Sequence, residues 1–186
     1  WSQGTKKSLV RILSPIKEKG TATLMVDKDI WNYLPKVKRV IKVPSSMMGG
    51  SWMGSHFTND DLVKQSRMVD EFDFSLSFDG VRDCRHLLEI TCTPKPGAAV
   101  VWGKVVVEIE KDSNMPLRML YFDEDLKLAR TMTFSDVKEW NGRKMPSVVS
   151  ILPAVSTDGS TVVTYLELAF GAALPPETFS LRNLQR

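Results

Sequence analysis

The chain is poor in the residues that build metal centres and disulfide frameworks: 186 residues include two cysteines and two histidines. Cys84 and Cys92 flank a segment that reads mostly as one strand, which would separate them by roughly 26 Å at about 3.3 Å per residue. A disulfide tolerates only about 7 Å. Both are therefore expected as buried free thiols. Only His56 and His86 could join them as ligands, and with no ligand-type spacing no metal is expected. No apolar run reaches the roughly 18 residues needed to span a bilayer, and the first residues lack the basic-then-apolar pattern of a secretory signal. A soluble chain is expected. A nucleotide-binding motif is missing as well, and no cofactor is expected. The sequence opens on Trp1 and runs almost at once into a strand-like segment, as a processed or trimmed product would.

What is present suits a folded protein. Hydrophobic residues make up 42% and charged residues 25%, enough apolar surface for a core in a single domain over residues 1–186. The net charge of +3 is spread along the chain, which argues against nucleic acid as a partner. The densest basic cluster is Lys36, Lys38, Arg39 and Lys42, where Lys36, Lys38 and Lys42 share strand parity. It reads as a solvated face or as a contact for an anionic membrane or protein surface.

Period-two alternation dominates. Its clearest instance sets Phe72, Phe74, Leu76 and Phe78 against Asp73, Ser75, Ser77 and Asp79, which predicts a strand with the four apolar residues inward. Similar patterns predict strands over residues 104–110 and 126–134, the second with Leu126, Leu128, Met132 and Phe134 on one face. Further strands are expected over 8–13, 21–26, 30–34, 37–43, 85–91, 117–122, 145–152 and 161–170. Lys19-Gly20, Asp79-Gly80, Pro94 to Gly97, Asn141-Gly142 and Asp158-Gly159 supply turn chemistry between them. Short strands with short turns predict an antiparallel sheet, because parallel strands need long crossovers. About ten such strands must curl, split or close; a curled barrel or half-barrel and a closed sandwich both satisfy the pattern.

The segment Met47 to Leu62 stands apart. Met47, Met48 and Met53 sit on a glycine-rich backbone with Trp52 and Phe57, a composition suited either to plugging a core or to covering a greasy guest. Thr58 then caps a short helix over 58–64, with Asp60 and Asp61 in its first turn. A second helical turn is expected over 176–184. Trp31 and Tyr33 share a strand face and read either as core or rim aromatics or as the wall of a cavity mouth. Gly54-Ser55-His56 invites a hydrolase reading with Ser55 as nucleophile. The reading is remote, because adjacent residues of an extended chain point apart and no nucleophile elbow surrounds them.

Two of these segments also carry a resemblance. Asp29-Ile30-Trp31-Asn32-Tyr33-Leu34-Pro35 and the run from Met47 through Phe57-Thr58-Asn59-Asp60-Asp61-Leu62 resemble the bacterial outer-membrane lipoprotein-sorting family, related to Lol-type periplasmic lipoprotein carriers. Trp102, Pro116, Tyr121-Phe122-Asp123, Gly142-Arg143 and Phe179-Ser180-Leu181 agree. The resemblance implies a mainly β fold: a strongly curved antiparallel sheet forming an incomplete β-barrel with a short covering helix and loop. It also implies a periplasmic, non-enzymatic carrier of lipoprotein acyl chains or lipids, working with a transporter of the ATP-binding-cassette type or an outer-membrane acceptor. The lipid-binding candidates are then Trp31, Tyr33, Met47, Met48, Trp52, Met53, Phe57, Phe72, Phe74, Leu76 and Phe78. The protein is expected to be a monomer. An adaptor that binds an export transporter without carrying lipid is the alternative.

Overall fold

The computed structural model of the chain describes residues 1–4, 6–64, 68–98, 100–155 and 159–186. It is mainly β and wholly antiparallel, with two sheets and few helices. The chain divides into two compact units.

The first unit comprises residues 1–52, 58–68 and 172–186. Its five strands are β1 (Ser2–Gln3), β2 (Lys7–Arg11), β3 (Ala22–Val26), β4 (Asp29–Leu34) and β5 (Arg39–Lys42), paired in chain order. Leu9 pairs with Leu24 and Leu24 with Trp31, so these three share a face. Leu9, Ala22 and Leu24 pack there with Phe179 and Leu184 from the chain's last turns. Those turns are a 3₁₀ segment at Pro176–Phe179 and α3 (Leu181–Leu184), as the sequence predicts.

On the opposite face Met25 and Ile30 pack with Val43, Met48 and Leu62. Leu62 belongs to α1 (Asn59–Lys64). Thr58 caps this helix reciprocally: its hydroxyl accepts from Asp61 N at 3.1 Å, and its own N–H donates to Asp61 Oδ2 at 2.7 Å. That is a capping box with Asp in place of Glu. Lys36 and Lys38, expected on a strand, lie instead in the β4–β5 turn, where Lys38 has φ +50°. Lys42 alone of the three is on β5, and it pairs with Asp29 at 2.9 Å.

The second unit comprises residues 53–57 and 69–171. Its seven strands are β6 (Phe72–Arg82), β7 (Arg85–Pro94), β8 (Lys104–Glu110), β9 (Met115–Phe122), β10 (Leu128–Trp140), β11 (Arg143–Pro153) and β12 (Thr161–Thr164), again in chain order. A short helical turn, α2 (Met68–Glu71), leads into β6. Neither sheet closes on itself: β1 and β5 edge one, β6 and β12 the other.

Asn141 and Gly142 make the expected tight β10–β11 turn, both at positive φ. Asp79-Gly80 does not turn; β6 continues through it, and the reversal falls on Asp83 and Cys84, at φ +52° and +60°. A Cβ at Gly80 would lie 3.1 Å from the Phe78 ring, so any larger residue there would push that ring aside by a few tenths of an ångström. Cys84, expected to be buried, is consequently exposed at a turn, whereas Cys92 on β7 is buried. Of the Asp158-Gly159 turn, Asp158 lies outside the described residues. β12 is shorter than the predicted 161–170.

Candidate functional site

Side chains directly opposite one another in antiparallel strands share a face. In the seven-stranded sheet this produces one registered row, Leu76–Ile90–Val107–Met119–Met132–Ile151–Thr161. A second row, Phe74–Cys92–Val105–Tyr121–Arg130–Pro153, lies beside it on the same face. Burial changes steadily along the first row. Ile151 is 0% and Met132 1% exposed, Ile90 and Val107 are half-buried, and Leu76 is 62% exposed. Phe74 on the same edge strand is 49% exposed. The sheet therefore carries an apolar face that is covered at β10 and β11 and open at β6.

The inward set expected on β6 is corrected by this geometry. Phe72, Phe74 and Leu76 do share the apolar face, but Phe72 alone is buried. A β-bulge between Leu76 and Phe78 places Ser77 and Phe78 against the single residue Glu89. Such a bulge resets the alternation. Phe78 thus joins the opposite, polar face, where the Arg82 guanidinium lies 4.4 Å from its ring centroid. On that face buried Glu108 accepts a two-pronged ion pair from Arg118 and also meets Arg82 at 3.5 Å. Hydrogen bonding to Glu108 raises the affinity of the Arg118 guanidinium for its proton. Asp79, expected on the polar side, is carried by the bulge to the apolar side. There Lys111 at 2.9 Å and His86 at 2.8 Å hold its carboxyl below the usual range, Lys111 having the larger effect.

A feature the sequence reading passed over anchors the covered part. Arg130 sits on the apolar face of β10 beside Met132, just past a bulge that turns Leu128 to the other face, and is 4% exposed. Its guanidinium lies 4.5 Å from the Trp102 ring centroid and 4.2 Å from that of Tyr121, and its Nη1 donates to His56 O at 2.8 Å. The signal was a cation at an inward position of an alternating strand, which requires a buried partner. His56 is fastened further by Thr161 Oγ1, 3.0 Å from its backbone N and 2.8 Å from its Nδ1. The loop 53–57, with half-buried Met53 and Phe57, is thereby strapped to the apolar face at Arg130 and Thr161. His56 faces Thr161 and not Ser55, whose Oγ accepts from Phe57 N at 3.2 Å.

The earlier half of the loop belongs to the five-stranded sheet. Asn59 Nδ2 donates to Met47 O at 3.1 Å and Gly50 O at 3.2 Å, fixing the segment to the start of α1. Met48 packs on Met25 and Ile30, while Met47 is exposed. Trp52 Nε1 donates to Thr23 Oγ1 at 3.0 Å. Trp31 and Tyr33 pack against the Leu9, Leu24 and Phe179 cluster, which is the core alternative left open by the sequence. A cleft of about 470 Å³ lies along Lys28, Asp29, Lys42, Val43, Pro44, Ser45 and Met48. Met48 is the one predicted lipid-binding residue on it. Among the described residues no group of three or more His, Cys, Asp or Glu side chains could hold a metal. No helix among them is long and apolar enough to cross a membrane.

Residues 4–186 match the model of a family described as "Uncharacterized protein". The chain belongs to that family. No curated protein matches it. Among solved structures, a domain assigned to outer membrane lipoprotein sorting from Vibrio parahaemolyticus superposes with a TM-score of 0.85 at 25% identity, covering 97% of this chain and 77% of the other. A DUF1329 family protein from Desulfovibrio piger gives 0.87 at 25% identity, with 96% and 76% covered. A LolA superfamily protein from Nitrosomonas europaea gives 0.81 at 19% identity, with 98% and 80% covered. The resemblance to the lipoprotein-sorting family read from the sequence is borne out by the first of these matches, and the LolA superfamily protein shares the fold. The fold class is borne out too, a mainly antiparallel β architecture with unclosed sheets and few helices.

Proposed function

We propose that the protein is a non-enzymatic periplasmic carrier that holds acyl chains of lipoproteins or lipids against the apolar face of its seven-stranded sheet and passes them towards the outer membrane. The observation that carries the reading is the registered row from Ile151 to Leu76, apolar through six strands and open at its β6 end beside Phe74. Adjacent exposed apolar side chains that continue a buried apolar face, as Phe74 and Leu76 do, mark a candidate binding site. Each methylene buried on such a surface contributes about 0.8 kcal/mol, so even part of a long acyl chain supplies several kcal/mol before entropic costs. The relatives assigned to lipoprotein sorting and to the LolA superfamily support the same cargo class. A transporter of the ATP-binding-cassette type or an outer-membrane acceptor would serve as donor or acceptor. The protein would act as a monomer and a single domain.

Of the predicted lipid-binding residues, Phe72, Phe74 and Leu76 fit this reading best, with Met53 and Phe57 in the strapped loop. Native mass spectrometry of the purified protein, followed by lipid extraction, tests it together with titration of a fluorescent fatty acid. Copurifying lipid and probe binding lost in Phe74→Ser with Leu76→Ser are expected. A folded protein with no copurifying lipid and no probe binding would exclude the carrier and leave the adaptor role.

A further inference from the structure

The β2–β3 loop and the β4–β5 turn emerge at the same end of the five-stranded sheet, because Arg11 pairs with Ala22, Ala22 with Tyr33, and Leu34 with Arg39. They meet there: a Cβ on Gly20 would lie 3.5 Å from Pro35 Cγ. The β2–β3 loop is folded back on itself, with Glu18 N donating to Pro15 O at 3.0 Å and Gly20 N to Ile12 O at 2.9 Å. This holds Leu13 and Ile16 outward, 73% and 91% exposed, and Val37 on the neighbouring turn is 59% exposed. Around these three aliphatic tips stand Lys17, Lys19, Lys36, Lys38 and Arg39, all exposed, with Glu18 as the one carboxylate between residues 12 and 39 on these two connections. None of the five cations has an ion-pair partner among the described residues. The end thus carries more positive charge than the whole chain's +3.

We propose that this end of the five-stranded sheet docks on the surface of an anionic phospholipid bilayer. Exposed Leu, Ile and Val side chains on two short connections cost solvation and gain nothing in the folded chain. Inserted among lipid headgroups they would be buried, with lysine stems lying along the apolar boundary and ammonium groups at the phosphates. The charge selects the lipid, since an anionic surface strengthens binding about fivefold for each lysine that reaches it. Docking of this kind needs no acyl chain in the other sheet, so it stands or falls separately from the carrier reading.

The test is sedimentation of the full chain with phosphatidylcholine vesicles, with and without phosphatidylglycerol. Binding to the anionic vesicles only is expected, and it should weaken steeply as salt shortens the Debye length towards about 3 Å near 1 M. Lys17→Glu, Lys19→Glu, Lys36→Glu and Lys38→Glu together should reduce vesicle affinity at least a hundredfold, on the order of what four lost contacts give. Leu13→Ser with Ile16→Ser should reduce it by about tenfold or more. Arg143→Glu with Lys144→Glu, at a turn of the other sheet, should change it little, and unchanged melting of every variant controls for folding. Titration of the fluorescent fatty acid should be unaffected by all of them. Failure of the unsubstituted protein to bind anionic vesicles overturns the proposal and points to an acidic protein face instead. An equal loss in the Arg143 and Lys144 variant overturns it as well.

Discussion

In the five-stranded sheet the chain covers both faces with its own segments: Phe179 and Leu184 lie over Leu9 and Leu24, and Met48, Val43 and Leu62 lie over Met25 and Ile30. The seven-stranded sheet is built from strands of the same alternating type, yet its apolar face runs from fully buried Ile151 to Leu76 at 62% exposure. Alternation therefore reports which residues share a face and says nothing of what lies over it. A closed apolar face contributes to folding. An open one leaves the same surface energy available for a guest.

The sharpest way to break this contrast is truncation in the closed sheet. Leu24, 1% exposed at the centre of its cluster, should lose about 2–5 kcal/mol of stability on replacement by Ala, measured by denaturant unfolding. A loss no larger than that at an exposed leucine would mean the C-terminal segment is not seated on the sheet. Arg130→Ala follows, with an expected loss of about 2–3 kcal/mol from the stacked guanidinium and its charged hydrogen bond to His56 O. Proteolysis should then cut first within residues 53–57. Protection of that loop in the variant would show that Thr161 holds it alone.

At the open end the prediction reverses. Phe74→Ala and Leu76→Ala should each cost only about 1 kcal/mol or less, since about half or more of each side chain is already in water, while acyl-probe affinity falls several-fold. Had Phe74 been part of a packed core, as the alternation suggests, its truncation would cost about 3–5 kcal/mol. A cost of that size would close the distinction between the two sheets.

The same residues show how much the sequence disclosed. Every strand but β1, the antiparallel order, the Thr58 cap and the Asn141-Gly142 turn follow from local chemistry and are present. Phe78 and Asp79 changed faces because a bulge is set by pairing with β7, which no period within β6 can reveal. Lys36 and Lys38 were read as strand because the turn that holds them lacks glycine, with Lys38 itself taking the left-handed conformation. The Met47–Phe57 loop was legible as apolar and pliable. Its division between two units was not, because that depends on Asn59 and Thr23 for one half and on Arg130 and Thr161 for the other. Polar replacement of Met48 and Trp52 should accordingly lower the melting temperature of the fold.

The smallest expected effect gauges where the open region stops. Cys92 lies directly across from Phe74, one strand in from the edge, yet is 0% exposed, whereas Cys84 stands in water at the β6–β7 turn. A thiol reagent should therefore modify Cys84 promptly in the native protein and reach Cys92 only on unfolding. Burial pushes the Cys92 thiol from 9.0 up to about 11. Above the ordinary value the unfolded chain gives up this proton while the folded chain keeps it, so stability should fall as pH rises from 9.0 to about 11 and be unaffected by this group below that window. Cys92→Ser should flatten that part of the profile. If native Cys92 instead reacts as fast as Cys84, water reaches the second strand, and the boundary between closed and open face lies deeper than β7.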